Sequence, residues 1–189
     1  NFGGLDDPDP AKRAPDFRPV NFVPRQNPFY VALPYNDVVN SSTTKDEASK
    51  IIPWFKQTFK RGGQSVCRDR WICVKYQERM CYAQWSDCGP FVTDDAQYVF
   101  GSGRPTNTKN KGAGIDISPA VRDYLGFKPE GKCDWRFVDL HEVPDGPWRS
   151  YGTNNHFVKS KAGEKDVVAN RLDELRRQRD EWFRKSASR

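Results

Sequence analysis

The sequence predicts a mainly β domain with an extended N-terminal segment before it and one long amphipathic helix after it. Three observations carry this expectation. Short stretches rich in β-branched and aromatic residues (29–33, 71–76, 80–85 and 134–140) are each bounded by turn-forming residues. Six of the fourteen prolines fall within residues 1–28, which show little periodic pattern. From about Ala162 the apolar spacing changes to the four–three rhythm of a helix. The expected organisation is therefore a Pro-rich extended segment over 1–28, a β domain over 29–156 and a helix over 157–189.

Composition narrows the function classes. The 189 residues are 36% apolar and 13% aromatic, with six Trp, enough for one core and an aromatic-lined groove. No run of eighteen apolar residues exists, so no transmembrane segment is expected. The net charge is +6, but ten of the 31 basic and only six of the 25 acidic residues lie beyond residue 156. The remaining 21 basic and 19 acidic residues leave the β region nearly neutral, so no nucleic acid partner is expected. Cys67, Cys73, Cys81, Cys88 and Cys133 form no CxxC and have no nearby His, so their spacing gives no zinc site. One or two disulfides are expected instead, Cys88 with Cys133 or Cys67 with Cys73 or Cys81.

In chain order, residues 1–28 read as a strap across the β domain, anchored by Phe17, Phe22 and Val23. The first strand, 29–33, is closed by Pro34 and the turn residues Asn36 and Asp37. Thr44 and Glu47 have the spacing of a capping box, which predicts a short helix through Ser49. Strands 71–76 and 80–85 are joined by a short hairpin at Gln77, Glu78 and Arg79, and 96–100 is a short strand or a helical turn. The polar stretch 101–114 reads as a loop, and 134–140 as the last strand, ending in a turn at Trp148. Val168, Leu172, Leu175, Arg179 and Trp182, with Phe183 beside them, make the apolar stripe of the C-terminal helix. That helix packs on its own domain, pairs with a second copy as a homo-oligomer, or lies on a membrane surface.

The most informative stretch is 81–126. Asp87 ends an alternating strand and runs into Cys88, Gly89 and Pro90, a turn signal. Asp116 sits between Ile115 and Ile117, just before a helix start with Ser118 as N-cap, Pro119 in the first position and Gly126 at the left-handed stop. Both carboxylates are thus held at the rim of regular elements, which suits chemistry and also suits plain turn formation and capping. Tyr30, Tyr35, Trp85 and Trp148 are candidate sugar-stacking aromatics, with Trp85 nearest the acidic turn; alternation along the strands places about half of such residues in the core.

Ser86-Asp87-Cys88-Gly89-Pro90-Phe91 and Gly114-Ile115-Asp116-Ile117-Ser118 together resemble the signature of the rare lipoprotein A family. In that family an Asn-Asp-Arg-Gly-Pro-Phe turn precedes an Ile-Asp-Leu-Ser helix start. The run from Tyr30 to Trp148 is also similar to uncharacterised bacterial proteins carrying LPYND, CYAQW and SPAVRDYLG segments. The resemblance covers neither the N-terminal segment nor the C-terminal helix. It implies a six-stranded double-psi β-barrel, shared with expansins and membrane-bound lytic transglycosylases, and a secreted, periplasmic or cell-envelope location. It also implies a polysaccharide partner, peptidoglycan or a related glycan, with Asp116 as general acid/base and Asp87 in the same groove. Asp37 is a third candidate, matched by position alone. The sequence departs from the family at Cys88, where Arg is usual, and at Ser86, where many relatives have Glu.

The expected function is action on that polysaccharide, in the manner of a lytic transglycosylase or a glycoside hydrolase; the alternative is a non-catalytic carbohydrate- or protein-binding module. The scheme needs no cofactor and no metal. A helix N-terminus beside Asp116 is expected to lower its pKa, whereas a general acid needs it raised by burial or by Asp87.

Overall fold

The structure, a computed structural model, describes residues 2–187, with side chains as far as residue 177. In chain order its elements are β1 (Tyr30–Leu33), β2 (Val38–Asn40), β3 (Thr43–Thr44), α1 (Ala48–Ile51), α2 (Phe55–Thr58), β4 (Trp71–Tyr76), β5 (Arg79–Cys88), α3 (Ala96–Val99), β6 (Asp116–Ile117), α4 (Pro119–Leu125), β7 (Asp134–Phe137) and α5 (His156–Ala187). Five strands form one mixed sheet in the order β6-β1-β5-β4-β7, and β2 and β3 form a separate two-stranded ribbon.

This arrangement overturns the six-stranded double-psi β-barrel. Closure requires the edge strands of a sheet to meet. Here the edges are β6 and β7, only two and four residues long, with three strands between them. The stretch 96–111 adds no strand to the sheet and folds as α3 and a loop containing a 3-10 turn at Lys109–Lys111. The sheet therefore stays open among the described residues.

Several elements form where local chemistry directs them. The β4–β5 hairpin turns on Gln77 and Glu78, with Tyr76 opposite Arg79 and Gln77 in the left-handed region at φ 53°. At α4 the Ser118 hydroxyl accepts from Val121 N (3.3 Å) and donates to the Pro28 carbonyl (2.7 Å), so the cap also fastens the helix to the chain entering β1. Gly126, at φ 66°, ends the helix in the left-handed conformation.

The capping box at Thr44 does not form. Thr44 lies in β3, α1 starts only at Ala48, and the Glu47 carboxylate accepts from the Tyr35 hydroxyl (3.3 Å) instead. The tertiary partner has outcompeted the local one. No disulfide forms either, since all five cysteines are free thiols. Cys73 and Cys81 face Tyr82 and Val74 across the hairpin, so alternation puts them on opposite faces of the sheet. Cys88 donates to the Tyr35 carbonyl, while Cys133 lies in a separate aromatic hollow with Tyr98 and Trp135.

The core centres on β1, β4 and β5, with α4 packed across β5. Residues 2–28 lie against it. Phe17 packs edge-on against Phe29 (5.8 Å) and Tyr124 (5.4 Å), and Arg13 pairs with Asp6. The Phe22 ring lies close against Gly4, within the segment itself, and Val23 is exposed. Three polar side chains with no exposed surface join the parts. Asn27 Nδ2 donates to Gln84 Oε1 and to the Trp148 carbonyl (2.9 Å each), and Asn155 Nδ2 donates to the Trp148 and Tyr151 carbonyls (2.9 Å each).

Helix α5 starts six residues earlier than its periodicity predicts, at His156, because Asn155 Oδ1 accepts from Phe157 N (3.1 Å) and seats its first turn. Val167, Val168, Leu172 and Leu175 are exposed along it; Arg179, Trp182 and Phe183, the rest of the expected stripe, lie outside the residues whose side chains are described. No helix among the described residues is long and apolar enough to cross a membrane.

Gln84→Leu keeps the approximate volume but leaves the Asn27 amide and the Asp69 and Asn154 carbonyls short of a partner. It should cost more than about 2 kcal/mol in urea unfolding, because each buried polar group left unpaired costs ~1–3 kcal/mol.

Candidate functional site

Asp87 and Asp116 face one another across a single strand. In the sheet Ala32 of β1 pairs with Asp116 of β6 on one side and with Asp87 of β5 on the other. Paired residues point to the same face. The two carboxylates therefore flank Ala32, whose small side chain leaves a shallow floor between them. Both aspartates are exposed.

A bulge makes this possible. Alternation along β5 from Cys81, Ala83 and Trp85, all buried, would send the next odd residue, Asp87, into the core as well. The register between β1 and β5 shifts after Val31, which pairs with Trp85, so that Ala32 meets Asp87 and Ser86 is the extra residue. One inserted residue turns Asp87 to the open face. The Ser86 hydroxyl, withdrawn from water, has no hydrogen-bond partner among the described residues.

The two carboxylates differ in their partners. Asp87 Oδ1 accepts from Cys88 N (2.8 Å), which fixes its direction. No hydrogen bond reaches the Asp116 carboxylate among the described side chains; its Oδ2 lies by the turn at Gly89, where an added Cβ would sit 4.0 Å from it. Partial burial of the carboxyl in the wall of the groove, and then the negative charge of Asp87, raise the Asp116 pKa above the ordinary carboxylate value. The helix N-terminus does not reverse this. Ser118 satisfies the Val121 N–H, and no hydrogen bond from the helix reaches the Asp116 carboxylate among the described residues.

The remaining candidates separate into core and rim. Asp37 is fully buried and consumed: its carboxylate accepts from Ser65 Oγ (2.6 Å) and Val66 N (2.8 Å), holding the 65–67 loop. Trp85 is 2% exposed, with its indole N–H bound to the Asp87 carbonyl (2.8 Å), so it props the acidic turn from beneath and offers only an edge to the neighbouring cleft. Tyr35 and Trp148 are buried too. Tyr30 lies two residues before Ala32 on the same face, half-buried, its hydroxyl donating to Asp6 (3.0 Å) and its ring against Phe2 (5.9 Å). The N-terminal segment thus walls that end of the groove.

Sequence reasoning missed the exposed aromatic of the site, Phe91, at 55%. Its place in the Gly-Pro-Phe turn, where the chain reverses at the end of a strand, was the available signal. A cleft of about 550 Å³ brings together four of the sequence-predicted residues, Tyr35, Asp37, Trp85 and Asp87, with Cys67 and Cys88, and Asp116 is not among its lining residues. Burial, then Asp87 and Asp37, push the Cys88 thiol up; burial, then Asp37 and Cys88, do the same more strongly to Cys67. Neither is primed as a thiolate nucleophile. No three His, Cys, Asp or Glu side chains among the described residues come together as a metal site requires.

Comparison with protein-family models, with curated proteins and with solved structures finds no match to this chain. The candidate site stands on its own geometry.

The aspartates should separate by substitution. Asp37→Ala leaves the Val66 N–H and Ser65 hydroxyl unpaired and should cost ~1–3 kcal/mol in urea unfolding. Asp116→Asn should stay within about 0.5 kcal/mol of the parent chain. Its sign is predictable: a raised carboxylate pKa means that stability is lost as pH rises through the folded-state value. The Asn variant should therefore melt at or above the parent temperature near pH 7, with the difference closing as pH falls through the carboxylate range.

Proposed function

We propose that this chain acts on a cell-envelope polysaccharide of the peptidoglycan type, cleaving glycosidic bonds with Asp116 as acid/base and Asp87 as its electrostatic support. One observation carries the reading: two solvent-reachable carboxylates flank Ala32 on one sheet face, and Asp116 is held above the ordinary carboxylate range. The motif resemblance at 86–91 and 114–118 agrees with it, although the barrel that resemblance implied does not form. The two carboxylates, and not a fold, therefore support this activity.

The chemistry follows from spacing and protonation. The backbones of Asp87 and Asp116 are two strand spacings apart, about 9–10 Å. A retaining pair works at about 5–5.5 Å between carboxyl groups, so a covalent glycosyl–Asp87 intermediate is not the step favoured. Asp116 gives its proton to the glycosidic oxygen as the bond to the anomeric carbon breaks. The Asp87 carboxylate stabilises the positive charge that develops on the sugar. A hydroxyl of the same sugar then attacks the anomeric carbon and returns its proton to Asp116, leaving an anhydro-sugar end. The exposed apolar residues of α5 support self-association of the chain as part of this reading.

Digestion of peptidoglycan, both intact and stripped of its peptides, followed by mass spectrometry should yield anhydro-sugar products, reduced at least about 100-fold by Asp116→Asn. Binding without soluble product, unchanged in that variant, would replace catalysis with a non-catalytic binding role. The rate should fall as pH rises through the Asp116 pKa, because the acid must start protonated. Asp87→Asn removes the smaller of the two causes that raise this pKa, so the falling limb should move to lower pH without reaching the position of a free carboxylate.

A further inference from the structure

Phe91 is out of place by every ordinary rule. It is a bulky apolar residue with more than half its surface exposed, and its φ of 64° lies in the left-handed region that non-glycine residues rarely adopt. The chain is drawn tight around it, Val92 N donating to the Pro90 carbonyl at 2.7 Å. A bulky side chain kept in such a conformation and turned outward belongs with the strained residues that cluster at ligand sites. It stands two residues from Gly89, over which the Asp116 carboxylate lies.

A second segment meets it there. Lys109 Nζ sits 5.6 Å from the centre of the Phe91 ring, within cation–π range. Lys109 belongs to the stretch 101–114, which carries Arg104, Lys109 and Lys111 and no acidic residue. That stretch is pinned and not free: Asp95, nearly buried, accepts from Thr106 N (2.8 Å) and Thr106 Oγ1 (3.0 Å), and Asn107 donates to the Ala113 carbonyl. Its tip bends through Asn110, Lys111 and Gly112, all at positive φ. Two conformationally costly turns from different parts of the chain thus bring an aromatic face and an ammonium together, two residues along the chain from the Gly89 turn that adjoins Asp116.

We infer that Phe91 and Lys109 form a sugar-binding shelf that positions an acidic glycan against Asp116, the ring packing on the C–H face of a pyranose and the ammonium pairing with a carboxylate carried by that sugar or its neighbour. The inference rests on the polysaccharide reading above and names its specificity. The groove itself bears two carboxylates, so a neutral segment fits between them and an anionic substituent fits only toward the basic stretch. This selects glycans whose sugars alternate between neutral and carboxylated over uniformly neutral ones of the same backbone.

The test measures binding of the full chain to two polymers, peptide-free peptidoglycan strands, in which alternate sugars carry a carboxylate, and neutral chitin oligomers of similar length. The parent chain, Phe91→Ala, Phe91→Tyr and Lys109→Gln are compared, with thermal melts to establish that each is folded. The parent should prefer the carboxylated strands by about tenfold, a preference that weakens with salt. Lys109→Gln should bring the ratio of the two affinities close to one. Phe91→Ala should weaken binding to both polymers about tenfold, and Phe91→Tyr should restore it. A parent chain that binds strands while folded Phe91→Ala and Lys109→Gln bind as it does would overturn the shelf and leave the polysaccharide reading standing. A parent chain that binds neither polymer would overturn both.

Discussion

Three buried amides hold this molecule together. Asn27 closes the N-terminal segment, Gln84 lies in the middle of the central strand β5, and Asn155 precedes α5, and none of the three has exposed surface. They converge on the carbonyl of Trp148 and on one another, so segments more than 120 residues apart share a single polar junction. Buried amides are costly unless their hydrogen-bonding capacity is met. Here it is met from four parts of the chain at once, and each partner therefore fixes the others. The aromatic packing of Phe29, Tyr124 and Trp148 around this junction is non-directional and would tolerate sliding; the amides would not.

The same junction sets the geometry of the acidic pair. Gln84 pairs with Tyr30 in the β1–β5 register, and the backbone N–H of Gln84 donates to the Phe29 carbonyl (3.0 Å). With that register fixed, Val31 must meet Trp85, and the single extra residue at Ser86 brings Asp87 opposite Ala32. Ser118 completes the frame from the other side, accepting from Tyr30 N (3.3 Å) and so locking the segment that carries Asp116 onto β1. The site is a consequence of two registers, one on each flank of a four-residue strand.

That dependence explains what could be read from the sequence. The start and stop of α4 were legible because Ser118, Pro119 and Gly126 act on their own backbone neighbours. The β4–β5 hairpin was legible for the same reason. Both aspartates were singled out because each sits next to such a local signal. What failed was non-local. Thr44 and Glu47 had the right spacing for a cap, but Tyr35, twelve residues before Glu47, claimed the carboxylate. Trp85 looked like a groove aromatic because it adjoins the acidic turn, yet the bulge that exposes Asp87 leaves Trp85 in the core. An inserted residue has no signature in an alternating pattern, since the buried stretch from Ala83 to Trp85 hides the point at which the period slips. The open sheet was illegible too, because whether its two edge strands meet is decided by pairing between segments distant in the sequence.

The described aspartates that approach the groove show how one residue type is sorted by its neighbours. Asp37 accepts from an N–H and a hydroxyl in the dry interior, and Asp95 caps α3 through Tyr98 N while binding Thr106; both are nearly or wholly buried and saturated. Asp87 is open but steered by Cys88 N. Of these four, only Asp116 accepts no hydrogen bond among the described residues, and Asp87 is set where it raises the proton affinity of Asp116. A sheet with Asn at 116 would escape that repulsion, so stability gives no reason for the carboxylate. The turn at Gly89 adjoins its Oδ2, and Phe91, two residues further on, is exposed. An acid left without a hydrogen-bond donor among the described residues, and raised in pKa by burial and by Asp87, is open to a partner that arrives from solution.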